Sequence, residues 1–203
     1  MDWTLVVSAV AAYLLGAVPF GYLFVRYAMG KDIRTMGSGN IGATNVHRTA
    51  GRSAGFVVLI LDIGKGYLAV WIAGRLTHDS PLGLALGVLA VMAGHAFPVF
   101  LGFKGGKAVA SFIGGFLYVA PVPLAIVLGI FVLVVAISKY ISLGSVSAAM
   151  LFPIVVLLVM HPPTPILVAA AVAGVFITYR HKSNISRLMH GTENVFSLKG
   201  GSR

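Results

Sequence analysis

The sequence predicts an all-α integral membrane protein, a polytopic bundle of about seven transmembrane helices. Of its 203 residues, 58% are hydrophobic and only 10% are charged, and the mean hydropathy is +0.96. A soluble fold of this size cannot hide so much apolar surface. The chain begins Met-Asp-Trp, without a basic region or a signal cleavage site, so we expect the first span to persist.

Breaks in the apolar sequence define the predicted helices. Residues 5–25, 55–71 and 81–100 each approach the roughly 20 apolar residues that cross a bilayer. The stretch 108–178 is interrupted near Pro121 and Pro123, at 138–142 and at 161–165. These breaks divide it into four more helices, so the predicted total is seven, of which two are short. The alternative is five spans, with 108–137 as one long or re-entrant element. Without a linker or repeat, we expect a single domain over 1–203.

The cations fix the predicted orientation. With the N-terminus outside and the C-terminus cytoplasmic, all of the 15 Lys and Arg residues except Lys65 and Arg75 lie on the cytoplasmic face. This topology brings polar segments 30–52, 101–107 and 180–203 to the cytoplasmic face of the membrane. The net charge of +10 suits membrane lipid or phosphorylated substrates, and we expect no nucleic-acid partner.

The first polar segment contains GSGNIGATNVHR at residues 37–48. Glycine-rich backbone and neutral donors around Arg48 are suited to binding phosphate. The spacing also fits a dinucleotide-binding motif, but that motif requires a preceding strand, and here a membrane span precedes it. The candidate donors beside Arg48 are Ser38, Gly39, Asn40, Gly42, Thr44 and Asn45.

The second polar segment ends in Gly-Gly-Lys at the start of an apolar helix. Exposed N–H groups of a first helical turn, the helix dipole and Lys107 would together attract an anion. A flexible basic loop beside lipid headgroups is the alternative. The candidate substrate-binding residues are Gly102, Lys104, Gly105, Gly106 and Lys107.

The third polar segment follows the last span. His181 and Asn184 stand one helical turn apart, where His181 could accept a proton and Asn184 could orient a substrate. Glu193, the only glutamate of the chain, could organise the nearby cations or act in catalysis. A basic tail that binds anionic lipid is the alternative for this segment.

Asp62 and Lys65 lie three residues apart within a span, and we expect them to form a structural ion pair, because an unpaired intramembrane charge is costly. The chain has no cysteine, only five acidic residues and no metal-binding histidine spacing. We therefore expect no metal and no cofactor.

Four motifs in order, with this membrane placement, closely resemble the bacterial acyl-phosphate glycerol-3-phosphate acyltransferase family, called PlsY. They are residues 37–48, Leu61-Asp62-x-x-Lys65-Gly66, residues 94–111 and His181-x-x-Asn184 ending in Gly191-Thr192-Glu193. The family commonly has glycine where this chain has Ala108.

The resemblance implies transfer of a fatty acyl group from acyl phosphate to the 1-hydroxyl of sn-glycerol 3-phosphate, the first acylation of bacterial phospholipid synthesis. The products are lysophosphatidic acid and inorganic phosphate. Separately from the resemblance, we expect a monomer that is functionally coupled to the enzyme that makes acyl phosphate. The implied catalytic residues are Ser38, Arg48, Lys107, His181, Asn184 and Glu193.

Three points stay open at the sequence level. The first loop with Arg48 is expected to hold acyl phosphate and the other two segments glycerol 3-phosphate, but the assignment could be reversed. The proton could pass to His181 or to a substrate phosphate. A phosphate-ester transporter or scramblase, and an acyltransferase using acyl carrier protein or acyl-CoA, are the competing functions.

Overall fold

The computed structural model describes residues 2–196 and contains ten α-helices and no strand in that range. Candidate positions Lys199 and Arg203 of the third polar segment lie outside the described residues. The helices are α1 (Trp3–Ala17), α2 (Phe20–Met29), α3 (Ala43–Ala50), α4 (Arg52–Thr77), α5 (Pro81–Ala96), α6 (Val109–Val119), α7 (Pro121–Ser138), α8 (Ile141–Met160), α9 (Thr164–Arg180) and α10 (Lys182–Met189).

The helical membrane fold is confirmed, and the number of full spans is smaller than seven. Within residues 2–196, five helical stretches are long and apolar enough to cross a bilayer. A sixth span results only if α9 and α10, whose axes are bent by 58°, are counted as one. Helix α6 has 11 residues. It rises about 16 Å, half of the hydrocarbon thickness, so it does not span alone. The breaks near 120, 139 and 162 fall where the sequence predicts them.

The first span is not one continuous helix, contrary to the prediction for residues 5–25. It breaks between α1 and α2 at Val18 and Pro19, since proline lacks an N–H and disfavours helical geometry in the preceding residue. The break leaves the Val18 carbonyl outside the helical ladder, and Lys65 Nζ donates to it across 2.7 Å.

The bundle packs through small residues and one aromatic cluster. Helix α1 packs against α5 and α4, and α4 packs against α6. Helix α8 packs between α7 and α9. A side chain at Gly114 of α6 would collide with the Ile63 carbonyl of α4, so glycine permits this close approach. Phe112, Phe116 and Phe152 join α6 to α8 with ring centroids 4.5 to 4.9 Å apart.

Candidate active site

A cavity of about 1100 Å³ lies where the three polar segments meet the helices. Its wall has a polar part and an apolar part formed by α6, α7 and α8. The predicted site residues in its wall are Ser38, Asn40, Gly42, Thr44, Asn45, Arg48, Lys107, His181, Asn184 and Glu193. The apolar wall includes Phe112, Leu124, Val127, Phe131, Ala148 and Ala149.

The first loop is held in shape by Asn45 of α3. Its Nδ2 donates to the carbonyls of Met36 and Asn40 across 3.0 and 2.8 Å, and its Oδ1 accepts from the Ser38 N–H across 2.9 Å. A side chain at Gly37, whose φ is 55°, would collide with Asn45 Oδ1. Both ends of the Asn45 amide are thus used to hold the loop, and the binding of substrate by Asn45, which lines the cavity, stays a prediction.

Besides Arg52 at the start of α4, the first polar segment offers the cavity the cation Arg48 of α3. Arg48 lies one helical turn from Asn45 on α3, and within residues 2–196 its side chain forms no hydrogen bond or ion pair. Burial lowers the pKa of Arg48, although the guanidinium stays charged. A charged, half-buried group without a protein partner is suited to an anionic ligand.

In the Gly-Gly-Lys turn, the N–H groups of the two glycines are used within the protein. The N–H groups of Gly105 and Gly106 donate to the carbonyls of Ala96 and His95, both across 3.1 Å. Those N–H groups are therefore not available to phosphate, and the wall of the cavity does not include either glycine. Gly39, Gly102 and Lys104 likewise lie outside the wall.

Lys107 is the group of this turn that enters the cavity wall. Its Nζ donates to Asn184 Oδ1, which joins the second segment to the third. Burial lowers the pKa of Lys107 from 10.5 to about 8; Glu193 opposes this shift, and nearby arginines reinforce it. The ammonium group is therefore charged at neutral pH and loses its proton under mildly alkaline conditions.

His181 sits at the junction of α9 and α10, where it is 3% exposed. Its Nδ1 lies 2.7 Å from the Ile177 carbonyl, and since a carbonyl only accepts, Nδ1 carries the proton. Nε2 is then the nitrogen free to accept a hydrogen bond. Burial and the charge of Lys107 lower the pKa of His181 to about 4, so the ring is neutral at neutral pH.

Glu193 returns to the site because the chain reverses after α10. Gly191 adopts a φ of 66°, and the Thr192 N–H donates to the Arg187 carbonyl, which is a helix C-terminal reversal. Glu193 Oε1 accepts from Asn184 Nδ2 across 2.8 Å, and Oε2 accepts from Arg187 Nε across 2.8 Å. Both carboxylate oxygens have partners, so Glu193 orients Asn184.

Asp62 and Lys65 form the expected pair, with Nζ and Oδ1 2.8 Å apart and both side chains buried. Lys65 ties α4 to the break in the first span through Val18. His95 Nδ1 approaches Asp62 Oδ1 to 3.7 Å.

Sequence reasoning missed two groups at the site. Ser142 of α8 donates to Glu193 Oε1 across 3.2 Å, and Arg187 holds the other carboxylate oxygen. The sequence shows no signal for Ser142, which is one serine among many. Arg187 lies six residues before Glu193, which is not the three- or four-residue spacing of a helical pair, so the sequence shows no specific signal for this partner either.

A helical membrane protein whose cavity joins cationic polar loops to an apolar wall is suited to a membrane substrate with an anionic end and an apolar end. The family model described as Glycerol-3-phosphate acyltransferase matches residues 6–191, and the chain belongs to this family. It is thus a glycerol-3-phosphate acyltransferase, as the sequence motifs predict.

Curated relatives and solved structures agree with this membership. A glycerol-3-phosphate acyltransferase of Trichlorobacter lovleyi is 46% identical over 91% of this chain and 94% of its own length. One of Geobacter sulfurreducens is 45% identical over 95% and 97%. The crystal structure of PlsY (YgiH), an integral membrane glycerol 3-phosphate acyltransferase, in its glycerol 3-phosphate form is similar with a TM-score of 0.89 at 36% identity, covering 95% of this chain and 96% of that one. Its lysophosphatidic acid form gives 0.86 at 34% identity, covering 95% of each.

Proposed function

We propose that the chain transfers a fatty acyl group from acyl phosphate to the 1-hydroxyl of sn-glycerol 3-phosphate. The products are 1-acyl-glycerol 3-phosphate and inorganic phosphate. The observation that carries this proposal is the cavity of about 1100 Å³, whose wall combines Arg48 and Lys107 with the apolar faces of α6, α7 and α8. A donor with a phosphate at one end and an acyl chain at the other matches both parts.

The polar part is suited to two phosphates. Arg48 and the hydroxyls of Ser38 and Thr44 would bind the phosphate of the donor, while Lys107 and His181 would bind glycerol 3-phosphate. Charge-assisted hydrogen bonds to phosphate are roughly twice as strong as neutral ones, so cations on two different segments, Arg48 and Lys107, favour two anionic substrates. The other predicted residues would act indirectly. The glycines would set the conformation of their loops, and the charge of Lys104 would add to the electrostatic potential of the site; these residues are Gly39, Gly42, Gly102 and Lys104.

The apolar part would hold the acyl chain. Leu124, Val127 and Phe131 follow one face of α7, and Ala148 and Ala149 line α8 opposite them. Burial of a chain here contributes about 0.8 kcal/mol per methylene. The activated carbonyl then lies at the polar end, near the hydroxyl that attacks it.

The chemical step needs orientation and a proton acceptor. The 1-hydroxyl oxygen bonds to the acyl carbonyl carbon, the carbon–oxygen bond to phosphate breaks, and phosphate departs with the electron pair. His181 Nε2 can accept the hydroxyl hydrogen bond, but its pKa of about 4 makes it a weak base. A phosphate oxygen, with a second pKa of about 6, is the stronger base, which favours a substrate phosphate as the proton acceptor.

The active site would face the cytoplasm of a bacterial inner membrane, with the N-terminus outside. The three polar segments carry 11 of the 15 Lys and Arg residues of the chain, and cytoplasmic loops carry the excess of Lys and Arg in membrane proteins. A single chain supplies the whole cavity wall, so a monomer would suffice. The donor would come from an enzyme that makes acyl phosphate.

The test is a comparison of donors with the protein purified in detergent. Glycerol 3-phosphate is supplied with acyl phosphate, acyl-CoA or acyl carrier protein, and lysophosphatidic acid and inorganic phosphate are measured. Equal amounts of both products from acyl phosphate alone are expected. Product from acyl-CoA or acyl carrier protein without acyl phosphate would contradict the proposal, as would glycerol 3-phosphate transport into proteoliposomes without acylation.

The role of His181 is tested separately with His181→Ala. Near-normal kcat at saturating substrates would exclude His181 as the general base and leave the substrate phosphate in that role. A raised KM for glycerol 3-phosphate with little change in kcat is the result we expect.

A further inference from the structure

Arg180, the last residue of α9, uses its side chain to hold the Gly-Gly-Lys turn. Its Nη2 donates to the Gly106 carbonyl across 2.8 Å and to the Gly105 carbonyl across 3.2 Å, and its Nε donates to Gly106 across 3.1 Å. The guanidinium carbon lies 5.0 Å from the ring centroid of Phe97. Arg180 is not in the cavity wall, so these contacts are not with a substrate site.

The two ends of this contact are each adjacent to a candidate substrate-binding residue. Arg180 precedes His181 in the chain, and Gly106 precedes Lys107. The bond between Arg180 and Gly106 therefore limits how far Lys107 and His181 can move apart. The bond from Lys107 to Asn184 connects the same two segments on the cavity side.

The turn needs such a support because two consecutive glycines have the greatest backbone freedom. Their N–H groups are bonded to His95 and Ala96, but their carbonyls would lack a partner without Arg180. A side chain at Gly106 would collide with His95 Nε2, so no bulkier residue can stiffen the turn. One planar guanidinium reaches both carbonyls at once, which a lysine ammonium at the end of a flexible chain does less well.

We propose that Arg180 is a positioning residue that sets the spacing of Lys107 and His181 for binding of glycerol 3-phosphate. This inference rests on the proposed function of those two residues. A misplacement of about 1 Å in a substrate-binding group can cost about 100-fold in rate. Arg180 would therefore affect activity strongly although it contacts no substrate.

The test uses Arg180→Ala and Arg180→Lys, with Arg75→Ala and Arg75→Lys as matched controls. Arg75 also lies in the last turn of a helix and stacks on an aromatic ring, Trp71, at 5.6 Å, but at the opposite end of the bundle. We expect Arg180→Ala to lower kcat/KM for glycerol 3-phosphate by about 10- to 100-fold. The KM for the acyl donor should change less than twofold, and the Arg75 variants should match the wild type.

Two further measurements separate positioning from general stability. Added guanidinium ion should partly restore Arg180→Ala but not Arg75→Ala or Lys107→Ala. In a double-mutant cycle, Arg180→Ala should have little further effect in a Lys107→Ala background, because the first residue acts through the second. Additive losses, or equal rises in KM for both substrates, would overturn the inference.

Binding of glycerol 3-phosphate measured by calorimetry without any donor gives a readout independent of the acyl chemistry. A weaker affinity for glycerol 3-phosphate in Arg180→Lys, with an unchanged melting temperature, supports the inference even if Arg180→Ala does not fold. Unchanged affinity in Arg180→Lys and Arg180→Ala would refute it. Failure of the wild type to use acyl phosphate would instead contradict the proposed donor, and the variants would then be assayed with the donor that works.

Discussion

Asn184 donates an N–H to Glu193 Oε1 across 2.8 Å, and this bond turns the amide oxygen of Asn184 toward Lys107. An asparagine side chain has a donor end and an acceptor end, so its orientation depends on such partners. Glu193 thus controls a contact of Lys107 without touching that residue, and the following predictions start from this relationship.

Glu193→Gln should weaken both the site and the fold. The new amide nitrogen would face Arg187 Nε or Asn184 Nδ2, and each is a donor, so one hydrogen bond is lost in a buried position. We expect the free energy of unfolding to fall by about 1 to 3 kcal/mol, and kcat/KM to fall about tenfold. Thermal unfolding followed by tryptophan fluorescence and a steady-state assay measure the two effects.

Asp32→Asn is the matched control for this carboxylate. Asp32 pairs with Arg34 across 2.6 Å, but both side chains are partly exposed. Such an exposed surface pair contributes little to stability, so Asp32→Asn should change the melting temperature much less than Glu193→Gln. Equal destabilisation by the two substitutions would contradict the account of Glu193.

Activity should decline above about pH 8 through Lys107. Its ammonium group is charged below its pKa of about 8 and neutral above it, so phosphate binding weakens as pH rises through that value. We expect kcat/KM to fall on this alkaline side, while kcat at saturation holds to higher pH, because bound phosphate raises the pKa of Lys107. Lys107→Arg keeps the charge, and its profile should lack this decline.

The lowered pKa of Lys107 also affects the free energy of unfolding, which should rise with pH where activity falls. Between about pH 8 and 10.5 the unfolded chain binds a proton on Lys107 that the folded chain has lost. Stability from this group therefore rises with pH across that window. A melting temperature that falls together with activity in the wild type, and not in Lys107→Arg, would contradict the assignment.

Ala108→Gly should stabilise the protein. Ala108 adopts a φ of 62°, a left-handed conformation that costs a residue with a Cβ about 1 to 2 kcal/mol. Glycine adopts it without that cost, and after the gain of freedom in the unfolded chain is subtracted we expect a net stabilisation of up to about 1 kcal/mol.

Ala110→Gly provides the control for this substitution, because it lies within the first turn of α6. Glycine inside a helix is unfavourable by about 1 kcal/mol, so this variant should be less stable than the wild type. The prediction for Ala108 fails if both glycine variants shift the melting temperature in the same direction.

Ala149→Phe should shorten the preferred acyl chain. Ala149 is 2% exposed and lines the apolar part of the cavity on α8. A phenyl ring there would displace methylenes of the acyl chain, each of which contributes about 0.8 kcal/mol to binding. Loss of two methylenes from the cavity therefore lowers kcat/KM for a long donor, relative to a short one, by about tenfold. Ile154→Phe on the outward, exposed side of the same helix is the control, and its chain-length profile should equal that of the wild type.

Lys65→Met should be more harmful than removal of the whole pair. It leaves Asp62 charged and buried, which typically costs about 3 to 5 kcal/mol, whereas an apolar replacement of both partners is often neutral. We expect Asp62→Leu with Lys65→Met to recover much of the melting temperature lost by Lys65→Met alone. No recovery would mean that the bond from Lys65 to Val18 is the larger contribution.

The sequence determined the class of fold, because a bilayer imposes apolar helices of a certain length and the proline and polar breaks are visible in the chain. It also predicted that Arg48, Lys107, His181 and Asn184 belong to one site, since side chains with this chemistry occur in only a few polar segments, and the structure places all four in one cavity wall. The Asp62–Lys65 pair follows from spacing on one helix alone.

Only the tertiary structure decided which groups are free to bind a ligand. Asn45, Gly105 and Gly106 are suited to phosphate by type, but their donors are used by backbone carbonyls that fold against them. The support given by Arg180 and the partners of Glu193 join segments far apart in the chain. Hydrogen bonds between distant segments depend on how the helices pack, so they cannot be predicted from the local pattern of residue types.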